Sequence, residues 1–210
     1  MKVSPDAAPS RRALPGLEWV ESMGGPLIVL PVSALQDWGG CTEEGLIIGD
    51  SDDVDDYDRA CAVEDLAAVI DAGATGARAL VLGDEPATTC YLPERHAFIR
   101  WLAADSDAEL LAAAEMVLND PTTAWELCGY WETDGPSVLM DSADAGPDLG
   151  KPYSDSTRLP EQASVGLPAG RWAVRAFHKT GDFPWVGVVQ LVPDPPPDDA
   201  PPATTPTSAL

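Results

Sequence analysis

The sequence predicts an α+β fold that is mainly antiparallel β-sheet, with one principal helix at about residues 107–118. Short apolar runs bounded by Gly, Pro, Asn and Asp recur along the chain, as is typical of strands joined by turns. Only one segment combines a capping signal with helical periodicity. A Trp, a Gly-Pro pair and an apolar run occur in that order at residues 19–31 and again at 131–141, which predicts two related β halves. In each half an Arg-containing alternating segment follows, at residues 56–63 and 169–177, and then an apolar strand that ends near proline, at 79–86 and 185–193. The alternative is that Gly-Pro turns precede apolar strands twice by chance.

The first strand pair has the clearest local signal. Gly24, Gly25 and Pro26 supply a bend, because glycine tolerates positive φ and the residue before proline is pushed to extended geometry. Leu27 to Leu30 is a short apolar run closed by Pro31. Such a run predicts a strand that is buried on both faces.

The next segments predict a short helical turn, an acidic loop and a strand. Residues 32–38 form the turn, which two glycines end. Residues 43–58 are the densest charge run; no register in it supplies the ligand spacing of a calcium loop, so we expect a solvated loop or a contact surface for a basic partner. Residues 57–63 alternate with a period of two, which indicates a strand. Residues 64–71 fit a helix by propensity or a continuation of that strand, and we favour the strand.

The rest of the chain alternates strand signals with turns and contains the helix. Ser106 and Glu109 form a capping box, and Leu110, Leu111, Ala114 and Leu118 share one helical face. The segment 142–168 is long and polar, so we expect it to be partly structured or functional. The further predicted strands are 79–82, 88–92, 97–103, 125–133, 137–141, 171–178 and 185–192.

Length and composition predict one domain with unstructured ends. Of the 210 residues, 45% are hydrophobic, enough to fill one substantial core. We assign residues 17–193 to a single α+β domain, residues 1–16 to a disordered leader and residues 194–210 to a disordered, Pro-rich tail. The leader lacks the apolar region of a secretory signal, and no run of 18 apolar residues occurs. We therefore expect a cytoplasmic protein.

The charge of the chain narrows the class of partner. Thirty-five acidic residues against 12 basic ones give a formal net charge of −23. This charge disfavours direct binding of nucleic acid and of anionic membranes. It attracts basic partners and accelerates their encounter. The alternative is that the acidity serves only solubility.

Residues with catalytic or metal-binding chemistry form no recognisable site. The sequence contains no phosphate-binding glycine loop, zinc-protease motif or nucleophile elbow. The four cysteines form no closely spaced pair, so we expect buried free thiols rather than a metal site. His96 and His178 lie at predicted strand ends, where surface or hairpin-end residues are more usual than catalysts. Asp84-Glu85, at another strand end, is the one place for a small-molecule or hydrolytic site. We expect no cofactor, no metal and no enzymatic activity.

Five stretches together resemble the immunity protein 21 family. They are WVESMGGPLIVLP at residues 19–31, the pair Trp38-Gly39, DDYDRAC at 55–61, LVLGDEPATT at 80–89 and RWLAADS at 100–106. The resemblance extends over about residues 17–193. It implies an α+β fold without a cofactor and a small cytoplasmic protein that neutralises a cognate toxin of a bacterial polymorphic toxin system. The residues that match the family motifs are Trp19, Gly24, Gly25, Pro26, Trp38, Asp56, Tyr57, Asp58, Arg59, Cys61, Asp84, Glu85 and Pro86.

Acidic residues and two aromatic side chains form the predicted contact surface for the toxin. Trp38 lies in a glycine-bounded loop beside the acidic run, so we expect it to be an exposed anchor, because Trp and Tyr dominate binding hot spots. The candidate set is Trp38, Asp52, Asp53, Asp55, Asp56, Tyr57 and Asp58. Two other functions compete with this one: a small-molecule-binding or hydrolytic domain that uses Asp84-Glu85, and an acidic structural or regulatory protein.

We expect limited proteolysis to remove residues 1–15 and 194–210 and to leave a resistant core, because neither segment can bury much apolar surface. Mass spectrometry of the resistant fragment locates the cleavage points. A large fall in melting temperature after truncation between Val192 and Pro193 would show instead that the tail contributes to the fold.

Overall fold

The structure, a computed structural model, describes residues 17–42, 54–73, 76–154 and 156–194. The predicted leader at 1–16, most of the predicted tail, and Asp52 and Asp53 lie outside these ranges. The helices are α1 (Asp56–Cys61) and α2 (Asp107–Asn119), with 3₁₀ turns at Val32–Asp37, Pro93–Arg95 and Gly146–Asp148. The strands are β1 (Trp19–Val20), β2 (Leu27–Pro31), β3 (Ala68–Ala72), β4 (Ala77–Leu82), β5 (Thr89–Leu92), β6 (Ala97–Ala103), β7 (Glu126–Thr133), β8 (Ser137–Asp141), β9 (Gln162–Val165), β10 (Gly170–Lys179) and β11 (Trp185–Pro193).

The strands form two antiparallel sheets. The six-stranded sheet has the order β1-β5-β6-β11-β10-β7, and the five-stranded sheet has the order β3-β4-β2-β8-β9. Neighbouring strands are antiparallel throughout the described residues. The prediction of a mainly antiparallel α+β fold is confirmed.

A hydrophobic core fills the space between the two sheets. Leu27 and Val29 of the five-stranded sheet pack in one cluster with Trp131, Trp172 and Val174 of the six-stranded sheet. The indole Nε1 of Trp131 donates a hydrogen bond across this core to the carbonyl of residue 78, at 2.9 Å. A buried indole usually finds a hydrogen-bond acceptor for its N–H, and that bond fixes the orientation of the ring. This bond therefore helps to set how the two sheets face each other.

Strand β2 contributes to two cores, as the sequence predicted. All five of its residues are buried. Ile28 and Leu30 point away from Leu27 and Val29, into a second cluster with Trp38 and Ala60. Successive side chains of a strand point to opposite faces, so α1 and the 32–38 segment must cover the outer face of the five-stranded sheet.

The predicted helix is confirmed as α2, which covers part of the outer face of the six-stranded sheet. Ser106 accepts a hydrogen bond from the backbone N–H of Glu109 at 3.3 Å, and the Glu109 carboxylate accepts one from the N–H of Asp105 at 3.1 Å. Leu110 and Ala114 are buried against β6 and β11. No helix of the described ranges has the length and apolar character needed to cross a membrane.

The predicted strand at residues 57–63 is wrong. Residues 56–61 form α1, because Asp55 caps the first turn by accepting a hydrogen bond from the N–H of Asp58 at 2.8 Å. In the helix, Asp56 and Ala60 are four residues apart and therefore lie on one face. Both are buried. The strand favoured for residues 64–71 begins only at Ala68.

The two halves of the chain repeat one pairing pattern. Strand β1 pairs with β5 and β5 with β6, just as β7 pairs with β10 and β10 with β11. Strand β2 pairs with β4 as β8 pairs with β9. The two sets meet where β6 pairs with β11 in one sheet and where β2 pairs with β8 in the other. In the second pairing, Val29 lies opposite Leu139. Each of these two residues lies three positions after the proline of its Gly-Pro turn, so the repeated motifs are related about this pair.

Two of the predicted correspondences between the halves are wrong. Residues 56–63 do not correspond to 169–177, because the first segment contains a helix and the second a strand. Residues 79–86 do not correspond to 185–193, because β4 and β11 belong to different sheets. The pairing pattern instead relates β4 to β9, which lies in the long polar segment at 142–168. That segment is partly structured, as expected.

Trp38 lies in the core and is not an exposed anchor. Its side chain is fully buried. Its Nε1 donates a hydrogen bond to the carbonyl of Ser142, and its own carbonyl accepts one from Gly146, both at 3.0 Å. The loop signal around Trp38 was correct, but the 142–150 segment folds over this loop and excludes it from solvent.

We expect Trp38→Ala to lower the free energy of unfolding by about 3 to 5 kcal/mol, because it leaves a large cavity in the second core. Chemical denaturation measures this loss. Trp185→Ala is the matched control, since that indole is 42% exposed, and it should cost closer to the ~1 kcal/mol typical of point substitutions. Equal losses in the two variants would contradict the burial of Trp38.

Candidate functional site

Residues from three separate segments meet around a cavity of about 160 Å³, which we name the Gly-Pro cavity. The segments are the bend between β1 and β2, the end of α1 with the residues after it, and the turn after β4. Most of the family-motif positions are among its lining residues, which are Gly24, Gly25, Pro26, Ala60, Cys61, Val63, Gly83, Asp84, Glu85 and Pro86. The fold therefore brings together motifs that are distant in the sequence.

The Gly-Gly-Pro bend forms one wall of the cavity. Ser22 closes the bend: its hydroxyl donates to the carbonyl of Gly25 at 2.5 Å and accepts from the N–H of Gly24 at 3.0 Å. Gly24 has φ +135°, a conformation that favours glycine. A Cβ on Gly25 would lie 2.5 Å from the ring of Tyr57. Glycine at position 25 is therefore required for α1 to pack against the bend.

Tyr57 and Cys61 lie one helical turn apart on the side of α1 that faces this wall. A hydrogen bond to Cys61, followed by burial, raises the pKa of Tyr57 to about 12. Cys61 is exposed as a residue, but partial burial of its thiol raises the thiol pKa, although the bond with Tyr57 acts in the opposite direction. A thiol with a raised pKa is mostly protonated at neutral pH and is a poor nucleophile. This pair is suited to packing rather than to covalent chemistry.

The turn after β4 is held from beneath by a buried arginine. Arg100 is 1% exposed, and its guanidinium donates hydrogen bonds to the carbonyls of Gly83 and Glu85. Between them, Asp84 has a left-handed backbone with φ 67°. Burial lowers the pKa of Arg100 to about 10, against the attraction of Asp84 and Glu85. Arg100 is therefore still a cation at neutral pH and fixes a turn that presents two exposed carboxylates.

His178 completes this cluster. It lies near the end of β10, beside the β10–β11 hairpin, as predicted, but its side chain is only 9% exposed. Its Nδ1 is 3.1 Å from Asp84 Oδ2, and its Nε2 is 3.4 Å from Arg100 Nη1. Burial and the charge of Arg100 lower the pKa of His178, so the ring is neutral at neutral pH. With the Nδ1 hydrogen directed at Asp84, the Nε2 lone pair faces Arg100. A general base needs that lone pair free for substrate, so the geometry does not favour hydrolysis.

Asp56 is a structural carboxylate and not an exposed contact residue. It accepts hydrogen bonds from the backbone N–H of Gly39 at 2.6 Å and of Gly73 at 3.3 Å, and it forms an ion pair with Arg59. These bonds join α1 to the loop after Trp38 and to the end of β3. Arg59, three residues after Asp56, was the feature of the sequence that could have indicated this internal ion pair.

Asp55 also has internal partners. Burial opposes ionisation of its carboxyl, but hydrogen bonds from Thr42 and Asp58 outweigh that effect and lower its pKa. It therefore caps α1 as a carboxylate. Of the predicted contact residues within the described ranges, Asp58 and Tyr57 are half-exposed, whereas Asp52 and Asp53 lie outside those ranges.

The remaining residues that the sequence analysis singled out lie away from the Gly-Pro cavity or are buried to a different extent than predicted. Trp19 is half-buried and packs edge-on against Trp101 at 5.5 Å, on the outer face of the six-stranded sheet. His96 is also half-buried; its ring packs against Trp172 at 5.1 Å. All four cysteines are free as expected, but Cys61 is exposed and only Cys90 is fully buried.

Sequence reasoning missed Arg100 as a site residue. An arginine between Ile99 and Trp101, in a strand that is otherwise apolar, was the available signal, because such a cation is buried only where polar groups bind it.

Within the described residues, no group of three or more His, Cys, Asp or Glu side chains could hold a metal ion.

The comparisons with known proteins identify the family. Residues 18–183 match the model of one family, described as immunity protein 21. No curated protein and no solved structure matches the chain. The match extends over most of the 210 residues and includes α1, α2, the Gly-Pro cavity and every strand except β11. The chain belongs to the immunity protein 21 family.

Proposed function

We propose that this immunity protein neutralises a cognate toxin of a polymorphic toxin system by binding it stoichiometrically in the cytoplasm, and that the toxin domain is basic. Membership of the immunity protein 21 family carries the first part of this proposal. The net charge of −23 supports the second part, because a strongly acidic protein accelerates its encounter with a basic one.

Exposed carboxylates around the Gly-Pro cavity also support a basic partner. Glu64, Asp65, Asp84 and Glu85 are all exposed. Gly83 packs against the segment that carries the first two, since a Cβ on it would lie 2.3 Å from the carbonyl oxygen of Asp65. The four acids therefore border one surface. We include Asp52, Asp53, Tyr57 and Asp58 in the proposed contact region, next to this border in the sequence.

The geometry gives less support to a small-molecule or hydrolytic function. The Gly-Pro cavity, at about 160 Å³, is smaller than the roughly 300 to 1,000 Å³ of typical ligand pockets. His178 directs its acceptor nitrogen at Arg100, and Cys61 has a raised pKa. The other alternative is a structural or regulatory role in which the acidity serves solubility alone. The co-expression experiment below distinguishes this role from toxin neutralisation.

Co-expression tests the proposal directly. Cells that express the toxin domain encoded beside this gene should survive only when the full chain is co-expressed. The two proteins should co-purify in a fixed stoichiometry, because neutralisation by binding needs no turnover. The Glu85→Gln variant should also protect, since one carboxylate among many contributes little. Absence of both survival and co-purification would contradict the proposal and favour the structural or regulatory alternative.

We expect a triple variant of the acidic border, Glu64→Gln, Asp65→Asn and Glu85→Gln, to associate with the toxin more slowly and with a weaker dependence on salt. Charges at the rim of an interface act mainly on the association rate, so dissociation should change little. Stopped-flow kinetics over a range of salt concentrations measures both rates.

A second triple variant serves as the matched control for charge. It removes the same number of exposed carboxylates elsewhere, at Glu94, Asp105 and Asp182. Association of this control should be slowed less, because steering depends on where the field is strongest and not only on net charge. Equal slowing by both triple variants would show that the acidic border has no special part in recognition.

A further inference from the structure

The outer face of the six-stranded sheet is only partly covered by α2. The helix packs on β6 and β11, where Ile99, Val186 and Val188 are buried. On β10, outward residues such as Arg171 and Arg175 are half-exposed. We name the uncovered part the β7–β10 face and define it by Met116, Trp125, Leu127, Tyr130, Arg171 and Arg175.

Apolar side chains are unusually exposed on the β7–β10 face. Met116 is 69%, Leu127 61% and Tyr130 44% exposed. Leu127 lies opposite Arg175 in the pairing of β7 with β10, and Tyr130 lies opposite Ala173. Residues directly opposite in an antiparallel pair share one face, so Leu127, Tyr130 and Arg175 lie on one surface of the sheet, and Met116 borders it from α2.

Two arginines on this face stack on aromatic rings. The guanidinium carbon of Arg171 is 4.0 Å from the centroid of Tyr130, and that of Arg175 is 4.3 Å from the centroid of Trp125. Arg171 also forms an ion pair with Asp194 at 3.1 Å. Arg175 donates Nε and Nη2 to the side-chain oxygen of Gln190 and, in the described ranges, contacts no carboxylate. Among the described residues, Arg175 is thus a pre-oriented cation without an anionic partner.

A groove of about 610 Å³ lies at one end of the face. Its lining residues are the apolar Met116, Val117, Ala124 and Phe177 and the polar Asn119, Asp120, Thr122, Thr123 and Lys179. The groove continues into the face through Trp125, whose ring meets Phe177 edge-on at 6.4 Å between centroids. Apolar atoms form most of the exposed wall of the groove, and Arg175 lies beside it on the Trp125 ring.

We infer that the β7–β10 face is the surface that retains the toxin, with an apolar side chain of the toxin in the groove and a carboxylate of the toxin on Arg175. This inference rests on the proposed function. Tyr, Trp, Met and Arg are the residues enriched in the cores of protein interfaces. Local charge complementarity selects a carboxylate for Arg175, because Arg171 on the same row of β10 already pairs with Asp194, whereas Arg175 contacts no carboxylate among the described residues.

A toxin that is basic as a whole can still be held at the β7–β10 face. Long-range charge controls how quickly two proteins meet, whereas buried anchors control how slowly they separate. Trp38 is buried and cannot act as the anchor. The β7–β10 face supplies the exposed aromatic and apolar groups that this role needs.

Two variants test the inference, with the toxin domain encoded beside this gene as the probe. Met116→Ser combined with Leu127→Ser removes exposed apolar surface, and Arg175→Gln removes the cation while it keeps an amide beside Gln190. Each should raise the Kd for the toxin at least tenfold, mainly through faster dissociation, and leave the melting temperature unchanged. Surface plasmon resonance measures the rates.

Val32→Ser combined with Leu159→Ser is the matched control. These residues are 50% and 49% exposed away from the β7–β10 face and the Gly-Pro cavity, and their replacement should leave the Kd at the wild-type value. Folded face variants that dissociate at the wild-type rate would overturn the inference and leave the proposed function intact. Failure of the wild-type chain to bind the toxin would instead remove the proposed function itself.

Hydrogen exchange of the wild-type complex gives a test that needs no variant. Amides at residues 125–131 and 171–177 should exchange more slowly when the toxin is bound. Protection confined to residues 54–65 and 83–86 would overturn the inference, because it would place the retained contact at the Gly-Pro cavity.

Discussion

Burial of strand β2 on both faces is the constraint on which the rest of the fold depends. Leu27 and Val29 enter the core between the sheets, and Ile28 and Leu30 enter the second core on the opposite face. Full burial of one such side chain stabilises a fold by about 1.5 to 3 kcal/mol, so neither face can be left open to water. One face requires the six-stranded sheet, and the other requires α1 and the loop around Trp38.

Buried polar groups then fix how the covering segments sit on these cores. Asp56 joins α1 to two backbone N–H groups, and Arg100 joins β6 to two carbonyls of the turn after β4. A buried charge that loses its partners costs more than the bond itself contributes. Each therefore permits few arrangements of its segment. The Gly-Pro cavity is a product of this restriction, because its walls are the segments that these two residues position.

The surface is divided between two kinds of chemistry. Exposed carboxylates border the Gly-Pro cavity beside α1, whereas stacked arginines and exposed apolar side chains occupy the outer face of the six-stranded sheet. Charge acts over distances near the Debye length of about 8 Å at physiological salt, while apolar contact acts only after water is removed. An acidic protein with one apolar, arginine-bearing face thus has separate means to attract a protein partner and to hold it.

The sequence by itself determined the local features, because each depended on neighbours in the chain. The apolar run of β2, the Ser106 cap of α2, the hairpin of β10 and β11 and the Gly-Gly-Pro bend all follow from turn chemistry and periodicity within a dozen residues. Contacts with distant segments decided whether the other side chains face the core or the solvent. A polar loop predicted an exposed Trp38, but the 142–150 segment buries it. An alternating pattern predicted a strand at 57–63, but the Asp55 cap and the inward Asp56 favour a helix. The partners of Arg100 are backbone carbonyls more than ten residues away, and no pattern within one segment encodes them.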